Sequence, residues 1–261
     1  MNKILANGVY LNYEIRGSGP KLLFINGIGA DIKAPIGLFN SPMVQHFSIL
    51  SYDPRGLGES ESPETGCSMT DLAEDAVALA KAVGWEKYHV FGASMGGMVA
   101  QELAIRHPEV IDKLVLAVTN SGGDSTPIVV DKMLDLSPTE LLKLSDTRQD
   151  EKWVEAHPEI IEKMVAQTNI TKSAMEANPS FRRGYMNQVS AAIRHNTSER
   201  LKEIKADTLI FNGRYDGSNT VSNAKKMADS IPKARFEVIE HGHGSWFFDS
   251  MVWNMIIEFL K

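Results

Sequence analysis

Cysteine is nearly absent: Cys67 is the single one in 261 residues. That excludes an internal disulfide and fits a reducing compartment. Cys67 stands in the polar run PETGCSMT (63–70), where a loop is expected rather than a catalytic thiol. No apolar run approaches the roughly 18 residues of a membrane span. The opening MNKILANGVYLNYEI lacks the apolar core of a signal peptide, so no membrane association and a cytoplasmic location are expected. Basic clusters are missing too. Lys and Arg number 27 against 33 Asp and Glu, a formal charge of −6, and no stripe of positive charge offers a nucleic acid its electrostatic footprint. Neither a metal-ligand cluster nor the lysine-bearing loop of a nucleotide site is apparent, and no cofactor is expected. Repeats and low-complexity tracts are absent as well.

What is present is an ordinary globular composition, 43% apolar and 23% charged. It is enough for one large α/β domain with an insertion. Asn7-Gly8 followed by the alternating VYLNYEIR (9–16) predicts an opening antiparallel hairpin. Six short apolar runs follow: KLLFIN (21–26), FSILSYD (47–53), YHVFG (88–92), KLVLAVT (113–119), DTLIFNG (207–213) and RFEVIE (235–240). Such runs bounded by Gly, Pro or Asp predict buried parallel strands. Helical spacing fills most gaps, as in 69–84, where Thr70 or Asp71 is expected to cap the start. The alternation predicts a mostly parallel central sheet flanked by helices.

Residues 121–200 are different in kind. SPTE (137–140) is a capping-box pattern, and HPEIIEKMVAQ (157–167) and NPSFRRGYMNQVSAAIR (178–194) each begin with proline near a helix start. Several helices and no strand are expected, set between two strands of the sheet as a cap. The core would then comprise 1–120 and 201–261, with NSGGDSTP (120–127) as the hinge leading into the cap.

Chemistry centres on FGASMGGM (91–98). Ser94 lies between Gly92 and Gly96, after a predicted strand and before helical spacing, which is the strand–turn–helix setting of a nucleophile elbow. A serine in a strained turn needs neighbours without side chains. Its base is expected in EHGHGSWFFD (240–249), where His243, between two glycines and deeper in the loop, is preferred over His241. Asp216, in NGRYDGSN (212–219) at a strand's C-terminal end, is the expected carboxylate, with Asp124 as the fallback. Asp249 and Glu240 read as surface or helix-start carboxylates. An oxyanion would be held by the N–H groups of Met95 and of Ile28, in the NGIGA loop (26–30), where Gly27 and Gly29 let the backbone turn toward Ser94.

With these residues in place the chain resembles the α/β-hydrolase fold family over its whole length. The likeness rests on NGIG, DPRGLGES (53–60), GASMGG, HPEVIDKLVL (107–116), IKADTLIFNGRYD (204–216) and the final GHG. It is nearest to the branch of 3-oxoadipate enol-lactonases, small carboxylesterases and perhydrolases. Asn26 stands where a histidine is more usual and is expected to brace the loop through its amide. Arg55 is read as tying a loop down. The resemblance implies a serine hydrolase of a small-molecule ester or lactone acting through a Ser-His-Asp triad and an acyl-enzyme. The alternatives are a ligand sensor with little turnover, or a perhydrolase or acyltransferase using the same residues. Expected substrate contacts are Met164, Phe181, Arg182, Tyr185, Met186 and Trp246, with Arg182 a candidate anchor for a carboxylate; at helical spacing such residues also serve as cap core. A homo-oligomer is compatible with the sequence.

Overall fold

The structure, a computed structural model, describes residues 2–34, 36–123, 136–137, 140, 146–148, 155–156 and 158–261, without the side chains of 160, 161, 164, 167 and 171. Its centre is an eight-stranded sheet. Strands β1 (Asn2–Ala6) and β2 (Val9–Arg16) form the expected hairpin, with Asn7 and Gly8 at φ 48° and 77°. Two successive positive φ angles match the right-handed twist of the flanking strands. The remaining strands are β3 (Lys21–Ile25), β4 (Ser48–Tyr52), β5 (Tyr88–Ala93), β6 (Ile111–Ala117), β7 (Asp207–Gly213) and β8 (Ala234–Ile239). Their spatial order is β1-β2-β4-β3-β5-β6-β7-β8, and every pair from β4 through β8 is parallel. The six apolar runs therefore form strands as expected, but the last, β8, is an edge strand that is half-buried rather than buried.

The chain leaves β3 toward β4 on one side and reaches β5 on the other, so the order reverses between β3 and β5. Loops leaving the carboxyl ends of these two strands diverge and leave a crevice there. Side-chain alternation sends Leu23, Ile25, Val90, Leu114, Leu116 and Ile210 into one core, and Leu22, Phe24, Phe91, Val115, Leu209 and Phe211 into the other. Both faces of the central strands are covered, which is why they read as continuous apolar runs.

The first core is closed by α1 (Met69–Ala82) and α2 (Met95–Arg106), with Ala224 and Met227 of α5 (Val221–Ser230) at its margin. On the other face lie α6 (Ser250–Leu260) and the turn before it, with Phe247 edge to face against both Trp246 and Trp253. The start of α1 corrects the expected cap. Ser68, not Thr70 or Asp71, is the N-cap; its hydroxyl accepts from Asp71 N–H while the Asp71 carboxylate accepts from Ser68 N–H at 2.8 Å. A reciprocal box satisfies two orphan donors at once, which a cap at Asp71 alone could not.

Between β6 and β7 the described helices are α3 (Pro158–Ala177) and α4 (Pro179–Arg194), both starting at proline as expected. The capping box at Ser137 and Glu140 forms too, with Ser137 Oγ donating to Glu140 at 2.6 Å. The chain leaves at Gly122 and Gly123, φ 73° and 60°, and returns alongside itself at Asn196 through an isolated antiparallel bridge. Thr197 N–H donates to Ser121 O at 2.8 Å across this neck. Among the described residues no helix is long and apolar enough to cross a membrane.

Candidate active site

The loops after β3, β5, β7 and β8 converge beside the crevice. Ser94 follows β5 directly and has φ 55°, ψ −122°, a region that costs a residue with a Cβ about 1–3 kcal/mol. Its surroundings hold it there. Ser94 N–H donates to Ala117 O at 2.9 Å, and Ser94 O accepts from Gly97 N–H at 2.9 Å. A Cβ on Gly96 would run into the carbonyl of Ile25, and one on Gly97 would lie 2.6 Å from Thr119. Glycine is what lets α2 start this close to the sheet, with its amino end toward Ser94.

His243 Nε2 lies 2.9 Å from Ser94 Oγ, and His243 Nδ1 lies 2.8 Å from Asp216 Oδ2. With Nδ1–H donating to the carboxylate, Nε2 is left to accept the serine proton. Asp216 is buried, and its other oxygen accepts from the N–H groups of Ser218 and Asn219, each at 2.8 Å. Asn219 in turn donates to Val118 O at 2.7 Å and accepts from the Asn120 amide, which anchors the acid loop to the end of β6. Burial opposes a charge on His243, but the charge of Asp216 and its hydrogen bond outweigh that, and the imidazole pKa lies above its ordinary 6.5. His241 is paired elsewhere, with Asp249 at 2.8 Å, and Asp249 caps α6 by accepting from Met251 N–H. Cys67 is buried in its loop, and burial pushes its thiol up to about 11. Asp124 lies outside the described residues.

Two backbone N–H groups belong to the segments that flank Ser94. Met95 N–H opens α2, and Ile28 N–H lies in the loop after β3; neither has a protein acceptor among the described residues. Gly27 brings that loop against the serine: a Cβ there would sit 3.4 Å from Ser94 Cβ and 3.9 Å from Oγ. The brace of this loop departs from expectation. Asn26 is buried, yet its side chain makes no hydrogen bond among the described residues. Gln188 of α4 does the bracing instead, accepting from Gly29 N–H at 2.9 Å, together with Asp53, which accepts from Ile32 N–H at 2.8 Å. A glutamine amide has the reach to cross from the helix to the loop, which a short asparagine inside the loop lacks. Gln188 shares the inward face of α4 with Tyr185, Val189 and Ala192. A lone amide on that apolar face was the readable signal.

The substrate-contact candidates divide. Tyr185 is buried with Val189 and Leu57, against which Phe181, Met175 and Ile28 pack, so Tyr185 and Phe181 stand next to the Ile28 loop. Arg182 and Met186 are corrected: they are exposed, at the flank of a helix whose 181, 185 and 188 turn inward. Arg183, their neighbour, donates to Ser62 O at 3.3 Å. Trp246 is corrected too. It is buried among Phe91, Phe211 and Trp253 in the core beneath the sheet, and its Nε1–H donates to His243 O at 3.0 Å, so it supports the histidine loop. The side chain of Met164 lies outside the described residues. Arg55 ties the 53–60 loop to α1 through Asp75, with Nε 2.6 Å from Oδ2. Among the described residues no group of three His, Cys, Asp or Glu side chains could hold a metal ion.

A profile of the alpha/beta hydrolase fold matches residues 20–147. Among curated proteins the chain is similar to 3-oxoadipate enol-lactonase 2 of Acinetobacter baylyi, 25% identical over 264 residues that span 98% of this chain and 94% of that protein. Among solved structures it superposes on an enol-lactonase from Burkholderia xenovorans LB400 with TM-score 0.82, 22% identity and 99% coverage of both chains. It also superposes on Est816, described as an N-acyl homoserine lactone degrading enzyme, with TM-score 0.81, 25% identity and full coverage of both. The strand order, the turn at Ser94 and these likenesses agree: the chain has the α/β-hydrolase fold.

Proposed function

We propose that the protein is a serine hydrolase that cleaves a carboxylic ester or lactone of a small molecule through an acyl-enzyme. The observation that carries this reading is the continuous relay from Ser94 Oγ through His243 to Asp216, at 2.9 and 2.8 Å. Ser94 Oγ attacks the carbonyl carbon while His243 Nε2 takes its proton. The oxyanion is met by the N–H groups of Ile28 and Met95, each such donor worth about 2.7–4 kcal/mol. Collapse breaks the bond to the alkoxy oxygen, which receives the proton from His243; in a lactone that oxygen stays attached to the acyl chain. Water then attacks the acyl-serine, gives its proton to His243, and releases the acid and Ser94. Asp216 stays ionised throughout and stabilises the imidazolium.

Residues 121–200 serve in this reading as a cap over the core formed by 1–120 and 201–261. The paired neck at Gly122 and Asn196 and the seating of α4 over the Ile28 loop support that division. Phe181 and Tyr185 are the candidate contacts for an apolar acyl or ring portion. Likeness to lactone-cleaving relatives favours lactones as the first substrates to try. Proton release should be followed over simple lactones, enol-lactones and short acyl esters. Turnover should appear with at least one class and fall by several powers of ten in Ser94→Ala; a Ser94→Ala enzyme that keeps most of its rate would refute the assignment.

A further inference from the structure

Three consecutive residues of the 121–200 segment grip both loops that carry the relay. The N–H and the hydroxyl of Thr147 donate to Tyr215 O, at 2.8 and 3.1 Å, one residue before Asp216. The Arg148 guanidinium lies 4.8 Å over the Tyr215 ring. It also donates to Glu240 O at 2.8 Å and to Ser245 Oγ at 3.3 Å, on either side of His243. Asp146, 4% exposed, completes the arrangement: it takes Arg148 Nε at 3.0 Å and Nη2 at 2.5 Å, and accepts from Ser245 Oγ at 3.2 Å. Ser245 Oγ in turn accepts from Gly242 N–H at 2.9 Å and so closes the turn that contains His243.

As a stabilising device this pair is weak, because desolvating two charges offsets most of what their attraction returns. Geometry is where it differs from an ordinary ion pair. A planar guanidinium fixes several acceptors in one rigid fork, and here the acceptors are a buried carboxylate, a carbonyl before His243 and a hydroxyl after it. Through Tyr215 the same three residues also reach the acid loop.

We propose that Arg148, held by Asp146, is a positioning residue for His243 and Asp216, acting through Ser245, the Glu240 carbonyl and Tyr215. The 121–200 segment thereby completes the catalytic geometry as well as covering it. This inference rests on the triad reading above.

The test is labelling by an alkyl fluorophosphonate, which reports serine activation without knowledge of the substrate. Ser94 Oγ forms a bond to phosphorus, fluoride leaves, and the serine proton passes to His243. Second-order labelling rates are measured against pH for the wild type, Ser94→Ala, Arg148→Ala and Arg148→Lys, with thermal unfolding alongside. Ser94 of the wild type should label and Ser94→Ala should not. Both Arg148 variants should label about tenfold more slowly or worse, the scale at which small misplacements act; an ammonium cannot span the three acceptors. Their acid limb should also move to lower pH, because a loosened His243 loses its hold on Asp216, the carboxylate that contacts it; a merely structural role leaves that limb in place. Unchanged rates and an unchanged limb in folded variants overturn the proposal and leave the triad standing. Absence of labelling at Ser94 in the wild type, or its persistence in Ser94→Ala, overturns the triad reading and this proposal with it. Should Arg148→Ala fail to fold, Arg148→Lys decides.

Discussion

Gly27 and Ser94 leave little space between them. A methyl added at Gly27 would stand 3.9 Å from Ser94 Oγ, in the space an acyl group must enter, with only ordinary contact to Ser94 Cβ. Gly27→Ala should therefore lower kcat/KM by about tenfold or more while leaving the unfolding temperature nearly unchanged; equal activity would show that substrate approaches from another side. The histidine offers a second handle. Its pKa is raised, so the imidazolium persists above pH 6.5 and cannot take the serine proton there. kcat/KM should rise with pH along a limb whose midpoint lies above 6.5. Asp216→Asn removes both raising influences and leaves burial, so the limb should move below 6.5 while kcat falls by about 10⁴-fold. An unmoved limb in that variant would show that another group titrates. At this scale the sequence was informative: Ser94, Asp216 and His243 stand at strand ends in the order the elbow chemistry needs. Which oxygen and which nitrogen meet was not readable, since that depends on turns at 216–219 and 240–245 that lie in two separate loops.

The elements carry a different lesson. Helix α4 lies on the 53–60 loop through two glycines, each filling the space a Cβ would need on the other: one on Gly56 would fall 2.6 Å from Gly184 Cα. Beside this contact Tyr185 and Val189 pack on Leu57, with Ile28 at the edge. Gly184→Ala gains helix propensity of up to about 1 kcal/mol but forces backbone apart, at about 1–3 kcal/mol. Net destabilisation is expected, visible as a lower unfolding temperature, together with a raised KM as α4 lifts from the Ile28 loop; a more stable variant would show that the helix shifts freely. Strand positions followed from the sequence because burial on both faces leaves one long apolar signature. The inward face of α4 did not, because Phe181, Arg182, Tyr185 and Met186 offer large side chains all round and only the partner surface selects among them. Helix α2 carries the same lesson. It is buried on nearly all sides, with Gln101 donating to Asn120 O at 2.9 Å and Glu102 meeting Arg200 at 3.1 Å, polar contacts made across the fold.

On the scale of the whole molecule, the neck of the 121–200 segment couples to pH. His195, 4% exposed, sits where the chain returns, its carbonyl accepting from Gly123 N–H at 3.1 Å. Burial pushes its pKa down to about 4, against the pull of Glu102 and with the push of Arg200. The unfolded chain binds this proton below about 6.5 and the folded chain only below about 4. Stability from this group is thus full above pH 6.5 and is lost progressively toward pH 4, by up to about 3 kcal/mol. Denaturant titrations at pH 7.5 and 5 should show that loss, and His195→Gln should shrink the difference between them; an unchanged difference would place the acid sensitivity elsewhere.

Local signals determined much of this protein from the sequence alone. Period-two and continuous apolar runs specify the strands, prolines and capping residues the helix starts, and the glycines about Ser94 the sharp turn, because each is a property of a few neighbouring residues. The tertiary structure alone decided what depends on contact between distant segments. Gln188 rather than Asn26 braces the Ile28 loop, Trp246 lies under the sheet, Arg182 and Met186 face outward, and Asp146 and Arg148 reach the loops of Asp216 and His243. Hydrogen bonds of this kind join residues about 90 to 160 positions apart, as in Arg148 to Glu240 (92) and Gly29 to Gln188 (159). No window of sequence contains both partners.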